Sequence, residues 1–366
     1  MKCNILCKFA SEKHYMKGII TPDRIQKFTE LTEGASRIAI VTHTRPDGDA
    51  IGSTIATACF IREKFGKEAA VVIADSYSRT LDFILDGTDR NYFFRHDLSP
   101  AGAQEWILGS DLVICLDCNG FSRTAGLQDI LKASTARKVL IDHHLNPQTE
   151  EFDLCFSEVE ISSASELVFW VLSAMPGTDG DATRIPMHAL RAIMAGMTTD
   201  TNNFANSVFP STLQMASQLL AAGVDRDGIL AEIYNRYSEN RYRMTGYALK
   251  DKMTLTPEGV AYIILTAGEL DEYGIDEGDL EGLVNIPLGI GKVRMSILMK
   301  EDKGYFRVSV RSKKGVSANS FATSYFNGGG HEQASGGRLY IPKDIASPDD
   351  AEEYVRQAVA TFFKER

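Results

Sequence analysis

The segment "VLIDHHLNP", residues 139–147, begins as an apolar run typical of a buried strand and then changes abruptly to one acid and two adjacent histidines. Uninterrupted apolar strands are typical of parallel sheets that are covered on both faces. In such open sheets, ligands bind beyond the carboxyl ends of the strands. The segment therefore predicts a strand that delivers Asp142, His143 and His144 to a ligand-binding edge.

Three further apolar runs have the same character, and helix-like segments separate them. These runs cover residues 37–42, 69–74 and 111–117, and the run at 137–142 completes the set. Between the first two, residues 50–65 carry apolar side chains at helical spacing. This alternation predicts an α/β fold in which a mainly parallel sheet is flanked by helices on both faces.

The pattern changes along the chain in a way that predicts two domains. Helical periodicity dominates the middle of the chain, and strand-like runs resume in its last third. We expect a larger catalytic domain over residues 21–236, a linker helix over 237–252 and a smaller α/β domain over 253–366, with the active site in the cleft between the domains. Residues 1–20, which include a second candidate start at Met16, are expected to be a dispensable extension.

Length and composition limit the class of function. With 366 residues, 44% hydrophobic and 24% charged, the chain has the composition of a soluble globular protein. No stretch reaches the roughly 18 to 20 apolar residues that cross a bilayer, and a net charge of -10 opposes binding to long phosphate polymers. The cysteines lack the spacing of a disulfide framework, and the C-x-x-C formed by Cys115 and Cys118 is interpreted as packing. We therefore expect a cytoplasmic protein without a membrane or a long nucleic acid as partner.

Acids and histidines follow three of the four predicted strands. After the first strand comes "HTRPDGDAIGS", residues 43–53, in which a turn built by proline and glycine can direct its side chains toward one volume. A further acid lies in "GMTTDTNNF", residues 196–204. If the fold brings them together, the cluster contains five carboxylates and two imidazoles, namely Asp47, Asp49, Asp117, Asp142, Asp200, His43 and His143.

A cluster of this composition predicts divalent cations, because buried carboxylates that repel one another are costly without them. Taken singly, His43 is more typical of a turn, Asp47 and Asp49 can cap the following helix, and Asp200 can end one; the recurrence at three strand ends favours a metal site. Oxygen and imidazole donors without thiolate favour Mn²⁺, Mg²⁺ or Co²⁺ over structural zinc. The number of carboxylates indicates two ions about 3.5 to 4 Å apart, and phosphoester hydrolysis as the reaction class.

These motifs resemble those of the DHH phosphoesterase superfamily. "HTRPDGDAIGS" resembles its first motif, "LDCNG" at 116–120 its second, "IDHH" at 141–144 its third and "GMTTDTNNF" its fourth. "NGGGHEQASGG", residues 327–337, resembles the glycine-rich motif of the DHH-associated C-terminal domain. The motifs occur in family order over residues 37–340, which is nearly the whole chain.

The resemblance implies a role for each member of the cluster. It assigns six side chains to two ions: His43 and Asp47 to the first, Asp49, His143 and Asp200 to the second, and Asp117 to both. It also implies that Asp142 orients a histidine and that His144 faces the scissile phosphate. The expected cofactors are two divalent metal ions, with Mn²⁺ favoured and Mg²⁺ or Co²⁺ as alternatives.

Glycines and a basic residue in the smaller domain predict an anion site. Gly328, Gly329 and Gly330 let backbone N–H groups approach an anion closely, and Arg311, at a strand end, can pair with phosphate in bidentate fashion. The alternative is a plain glycine turn beside a solvated basic hairpin. The resemblance favours substrate binding, with Arg311 and His331 at the terminal phosphate or nucleotide.

The resemblance also narrows the activity. Small stand-alone members include the nanoRNase type, which degrades very short RNA to mononucleotides and converts adenosine 3′,5′-bisphosphate (pAp) to AMP, and we predict this activity. The alternatives are a cyclic di-AMP or pApA phosphodiesterase and, less favoured, an exopolyphosphatase-like enzyme or a non-catalytic nucleotide sensor. The expected partner is a short RNA or nucleotide. The sequence leaves open the direction of attack on RNA and the oligomeric state, for which a homodimer is one alternative.

Overall fold

The protein is described here by a computed structural model, which places all residues except 1–17, 277, 331, 365 and 366. The chain divides into two compact units, and the division lies between Arg236 and Tyr237. The predicted N-terminal extension falls outside the described residues over positions 1–17. In the part of the chain that is described, no helix is long and apolar enough to cross a membrane.

The first unit contains a six-stranded parallel sheet in the order β3-β2-β1-β4-β5-β6. Its strands are β1 Arg37–Val41, β2 Glu68–Ile73, β3 Phe93–Arg95, β4 Leu112–Leu116, β5 Arg137–Asp142 and β6 Leu154–Ser157. The order reverses between β1 and β4, which is the switch point where doubly wound sheets bind ligands. The predicted α/β fold with a mainly parallel sheet is confirmed.

Helices cover both faces of this sheet. They are α1 Pro22–Gly34, α2 Gly48–Phe65, α3 Pro100–Leu108, α4 Gln128–Ala133, α5 Ala164–Ala174, α6 Met187–Asp200, α7 Pro210–Ala221 and α8 Arg226–Tyr234. Side chains of β1 alternate between two apolar layers. Ile38 and Ile40 belong to the layer that includes α2, α5 and α6, whereas Ala39 and Val41 belong to the layer that includes α3 and α4. Burial on both faces explains why the strands are apolar throughout.

Glycines allow α2 and α6 to pack at close range. A Cβ atom at Gly52 of α2 would lie 2.6 Å from the carbonyl oxygen of Ala192 in α6. A Cβ atom at Gly48, the first residue of α2, would lie 2.3 Å from Oγ1 of Thr199 near the end of α6. The start of one helix therefore lies directly against the end of the other, and an acidic side chain from each can reach the same volume.

The second unit contains a mixed sheet in the order β11-β12-β10-β9-β8-β7. Its strands are β7 Thr254–Leu255, β8 Val260–Leu265, β9 Met295–Asp302, β10 Tyr305–Ser312, β11 Gly329–Gly330 and β12 Ala334–Tyr340. Strands β8 and β9 pair in parallel, and the other neighbours pair antiparallel. Its helices are α9 Glu239–Tyr247, α10 Ala267–Glu272, α11 Ala318–Tyr325 and α12 Ala351–Lys364. Phe306, Phe321 and Phe326 lie at the centre of its apolar core.

Replacing Gly52 with alanine tests the close packing of the two helices. The added methyl group meets backbone, which cannot rotate away, so we expect the G52A variant to lose about 1 to 3 kcal/mol of unfolding free energy. Urea denaturation of the whole chain measures this. The matched control is G34A at the end of α1, where a Cβ atom meets nothing within 4 Å. Equal stability of the two variants would contradict the proposed contact.

Candidate metal centre

Acids and histidines of the first unit converge at the carboxyl edge of its parallel sheet. They come from the segments that follow β1, β4 and β5, and from the helices α2 and α6. Three sets of side chains there have ligand atoms that all lie within 4.8 Å of one another. The sets are His43 with Asp47 and Asp117, Asp49 with His143 and Asp200, and Asp117 with His143 and His144.

His43 follows β1, and the backbone fixes the orientation of its ring. Nδ1 lies 2.8 Å from the carbonyl oxygen of Thr44, and because a carbonyl can only accept, Nδ1 carries the proton in this contact. Nε2 faces two carboxylates, at 3.5 Å from Oδ2 of Asp117 and 3.9 Å from Oδ1 of Asp47. Metal-binding histidines are commonly oriented in this way, by a hydrogen bond from the second ring nitrogen.

Asp117 lies at the centre of the cluster. It follows β4 with left-handed backbone, φ 55°, and it is buried. Oδ1 lies 3.4 Å from Nε2 of His143 and 3.4 Å from Nδ1 of His144, while Oδ2 faces His43. Among the described residues, Oδ1 has no hydrogen-bond donor although it is buried. A buried carboxylate oxygen that faces imidazoles and lacks a donor fits a cation beside it.

Asp49 and Asp200 approach His143 from the two closely packed helices. Their Oδ2 atoms lie 3.9 and 3.8 Å from Nε2 of His143. Asp49 is buried, and its two carboxylate oxygens accept hydrogen bonds from the backbone N–H groups of Ala164 and Ser165, at 2.6 and 2.8 Å. These donors are the first residues of α5, where the helix dipole also favours a negative charge.

The excess of negative charge shifts the pKa values of the cluster. Burial and the charge of Asp117 raise the pKa of Asp49 to about 7, and burial and the charge of Asp49 raise the pKa of Asp200. Burial lowers the pKa of His43 and of His143, but the facing carboxylates, Asp117 above all, outweigh it and raise the two values to about 9 and about 10. Protons on these groups offset the excess charge, as divalent ions do in sites of this composition.

Asp142 and His144 form a pair at the end of β5. Nδ1 of His144 lies 2.9 Å from Oδ1 of Asp142, and the backbone N–H of His144 donates to Oδ2 at 3.2 Å. Asp142 is fully buried, so its carboxylate is placed to hold this ring. Asp142, which we expect to orient a histidine, therefore contacts His144. The role of His144 at the scissile phosphate stays a prediction.

Asp75 is part of the site and was not singled out from the sequence. It follows β2, and its carboxylate accepts hydrogen bonds from Oγ1 of Thr44 at 2.6 Å and from the backbone N–H of Arg45 at 2.5 Å. Arg45 has left-handed backbone, φ 50°. Asp75 thus fixes the turn between His43 and Asp47. Asp75 directly follows the predicted strand at residues 69–74, so its position at a strand end could have identified it from the sequence.

In the second unit, the glycines and Arg311 meet at neighbouring strands. Gly330 pairs with Ser335 in β12, and Nη1 of Arg311 donates to the carbonyl oxygens of Ser335 and Val310. A Cβ atom at Gly328 would lie 2.0 Å from the carbonyl oxygen of Gly336. A Cβ atom at Gly330 would lie 2.7 Å from the carbonyl oxygen of Ala334, so strand packing requires a glycine at 328 and at 330 but not at 329. The predicted contact of these glycines with an anion stays a prediction. His331 lies outside the described residues.

Comparison with known proteins decides the family. Residues 37–197 match the DHH family, N-terminal domain, and residues 259–365 match the DHHA1 domain. The chain belongs to the DHH family. This family consists of phosphoesterases that depend on divalent metals, so the protein is a hydrolase of that class. The oxygen and imidazole donors around Asp117 fit that requirement.

Several bacterial proteins are similar to this chain over most of its length. The bifunctional oligoribonuclease and PAP phosphatase NrnA of Bacillus subtilis is 26% identical over 306 residues, which cover 83% of this chain and 89% of NrnA. The cyclic-di-AMP phosphodiesterase GdpP of Geobacillus thermodenitrificans is 24% identical, and the match covers 92% of this chain but 49% of GdpP. The crystal structure of an exopolyphosphatase-related protein from Bacteroides fragilis is 35% identical with a TM-score of 0.86, covering 93% of this chain and 97% of that one.

Replacing Asp200 with asparagine tests the electrostatics of the cluster. Because the pKa of Asp200 is raised in the folded protein, its carboxyl costs stability once the pH exceeds the value in the unfolded chain. We expect the D200N variant, with metals removed by chelation, to melt a few degrees above wild type at pH 7.5 and at the same temperature near pH 4. Added Mn²⁺ should raise the melting temperature of the variant less than that of wild type.

The control is D227N, whose side chain is 98% exposed, and which should melt like wild type at both pH values. A lower melting temperature for D200N in chelator at pH 7.5 would contradict the proposed repulsion.

Proposed function

We propose that the protein uses two divalent ions, with Mn²⁺ favoured, to hydrolyse very short oligoribonucleotides to mononucleotides and pAp to AMP. The observation that carries this proposal is the position of Asp117, whose two oxygens face the histidines of both neighbouring ligand sets. A carboxylate placed in this way is suited to bridge the two ions of a two-metal hydrolase. Similarity to NrnA, whose name states both activities, supports the substrate class.

Each residue of the cluster has a place in this proposal. Two side chains, His43 and Asp47, would hold one ion, three side chains, Asp49, His143 and Asp200, would hold the other, and Asp117 would serve both. Bound divalent ions supply a nucleophile at neutral pH and neutralise the charge that develops on the phosphoryl oxygens. Asp142 holds Nδ1 of His144, which turns Nε2 toward the scissile phosphate.

The second unit binds the terminal phosphate of the substrate through Arg311. Its guanidinium is partly buried, and this burial lowers its pKa without removing its charge. Nη1 is anchored on two carbonyl oxygens, which leaves the other nitrogens of the planar group in a fixed direction. A fixed, partly desolvated guanidinium is suited to bidentate contact with a phosphate.

The charge of the chain favours short substrates. A net charge of -10 opposes the binding of long single strands, which require a continuous basic track. A mononucleotide bisphosphate or a dinucleotide needs only a metal centre and one fixed cation, which the cluster around Asp117 and the guanidinium of Arg311 would supply.

The second candidate function is a cyclic di-AMP or pApA phosphodiesterase. The observation that favours it is the match of 92% of this chain to GdpP, which is named a cyclic-di-AMP phosphodiesterase. Its chemistry is the same phosphodiester hydrolysis, so only substrate preference separates the two candidates.

Initial rates on one panel of substrates separate these functions. The panel contains pAp, pApA, a short RNA, a long single-stranded RNA, cyclic di-AMP and inorganic polyphosphate, each with Mn²⁺ or Mg²⁺. We expect pAp and the short RNA to be cleaved at least about tenfold faster than the long RNA and cyclic di-AMP, with Mn²⁺ the better metal. Fastest turnover of cyclic di-AMP or of polyphosphate would replace the proposed function with that activity.

A matched pair of variants on one strand ties any activity to the cluster. Asp117 follows β4 and Asp111 precedes it, where the Asp111 carboxylate accepts hydrogen bonds from backbone N–H groups of Ser36 and Arg37. D117N should have no detectable turnover on the whole panel, and D111N should retain it. Activity in both variants would show that the measured hydrolysis does not occur at this site.

Replacing Arg311 with lysine tests the phosphate contact. Lysine keeps the charge but loses the bidentate geometry, so we expect R311K to raise KM for pAp about tenfold while kcat changes little. Steady-state kinetics measure this, with K303A in the exposed hairpin between β9 and β10 as the control. An unchanged KM would remove Arg311 from the substrate site.

A further inference from the structure

Glu166 is a fully buried acid that the proposed chemistry does not use. Its relative exposure is 0%, and it lies in the first turn of α5. A buried carboxylate is costly unless hydrogen bonds satisfy it. The position of the donors around Glu166 therefore indicates what the acid does.

The first donors come from the turn that begins α5. Oε2 of Glu166 accepts hydrogen bonds from the backbone N–H of Ser162 at 3.1 Å and from Oγ of Ser162 at 2.5 Å. The backbone N–H of Glu166 in turn donates to Oγ of Ser163, the N-cap residue, at 3.0 Å. Glu166 thus fixes where the helix begins. Ala164 and Ser165 lie between Ser163 and Glu166 in this first turn. Their backbone N–H groups are the donors that hold the carboxylate of Asp49.

The second set of contacts leads toward Asp200. Oε2 of Glu166 also accepts a hydrogen bond from Oγ1 of Thr212 at 2.7 Å, and Thr212 lies in the first turn of α7. The same Oγ1 accepts from the backbone N–H of Phe209 at 3.1 Å. Residues 201–209 connect this point directly to Asp200 at the end of α6. One carboxylate oxygen therefore joins the start of α5 to the end of the segment that follows Asp200.

Oε1 of Glu166 has a donor of its own. It accepts a hydrogen bond from Nε1 of Trp170 at 3.2 Å, one turn further along α5. With both oxygens occupied, the carboxylate has a fixed orientation, which an apolar residue of similar size would not provide.

We propose that Glu166 is a positioning residue that sets the spacing between Asp49 and Asp200, and so the affinity of the Asp49–His143–Asp200 set for a divalent ion. This inference rests on the proposed two-ion centre. It goes beyond that proposal because Glu166 contacts neither the ions nor the substrate and acts through two helix starts. Residues that orient metal ligands in this way typically contribute about 10- to 100-fold to metal affinity.

Calorimetric titration of the metal-free full chain with Mn²⁺ tests the proposal. Wild type should bind two ions. E166Q keeps the size of the side chain but supplies one acceptor oxygen for the four donors, and T212V removes the link toward Asp200 alone. We expect each variant to bind one ion with wild-type affinity and the other at least about tenfold more weakly, with the larger loss in E166Q. Circular dichroism of both variants serves to check that they are folded.

The control for a purely structural effect is T178V. Thr178 is buried in the same unit, and its Oγ1 donates to the carbonyl oxygens of Leu172 and Met175. This variant should lose stability and keep both Mn²⁺ affinities. If E166Q and T212V also keep both affinities while losing stability, Glu166 is a structural residue and the inference is wrong.

The same titration separates this inference from the proposed function. If wild type binds a single ion, the two-ion centre fails. The affinity for that single ion then decides the role of Glu166. A tenfold loss of Mn²⁺ affinity in E166Q that matches the loss in D200N supports the positioning role, and an unchanged affinity in E166Q overturns it.

Discussion

The first unit depends on one electrostatic constraint, which is that carboxylates are held together around Asp117, in sets whose ligand atoms lie within 4.8 Å of one another. Such an arrangement is unfavourable by itself, and the fold provides it at the switch point of the sheet, where the strand order reverses between the paired strands β1 and β4. Part of the negative charge is compensated by the helix N-terminus that donates to Asp49. The raised pKa values of His43 and His143 favour the positively charged form of both imidazoles, which compensates a further part. A cluster maintained against this repulsion is suited to divalent ions, and the rest of the unit serves to hold it in place.

The scaffold around the cluster has two levels. Strands β1, β4 and β5 deliver the side chains, and the glycine contacts between α2 and α6 bring two further acids within reach. Backbone and buried polar groups then set orientation, as the carbonyl of Thr44 does for His43 and as Asp75 does for the turn after β1. The ligands therefore lie on rigid elements, which favours accurate geometry at a metal centre.

The sequence predicted the parts of the fold that apolar patterning controls. Strands β1, β2, β4 and β5 are buried on both faces and are continuous apolar runs, so they were found. Strands β3 and β6 were missed because they are short edge strands, with only three residues in β3 and alternating burial in β6. The acids and histidines that the structure brings together around Asp117 were singled out because acids and histidines at strand ends have few structural explanations. Glu166 and Gly52 were not singled out, because their importance lies in contacts between segments distant in sequence. Asp75 carried the same strand-end signal as the other acids and was overlooked.

The most direct test of the account is the anomalous scattering of a crystal soaked in Mn²⁺. We expect two peaks on either side of the Asp117 carboxylate, about 3.5 to 4 Å apart, one beside His43 and the other beside His143. A single peak, or peaks that lie away from Asp117, would contradict the claim that this carboxylate bridges two ions.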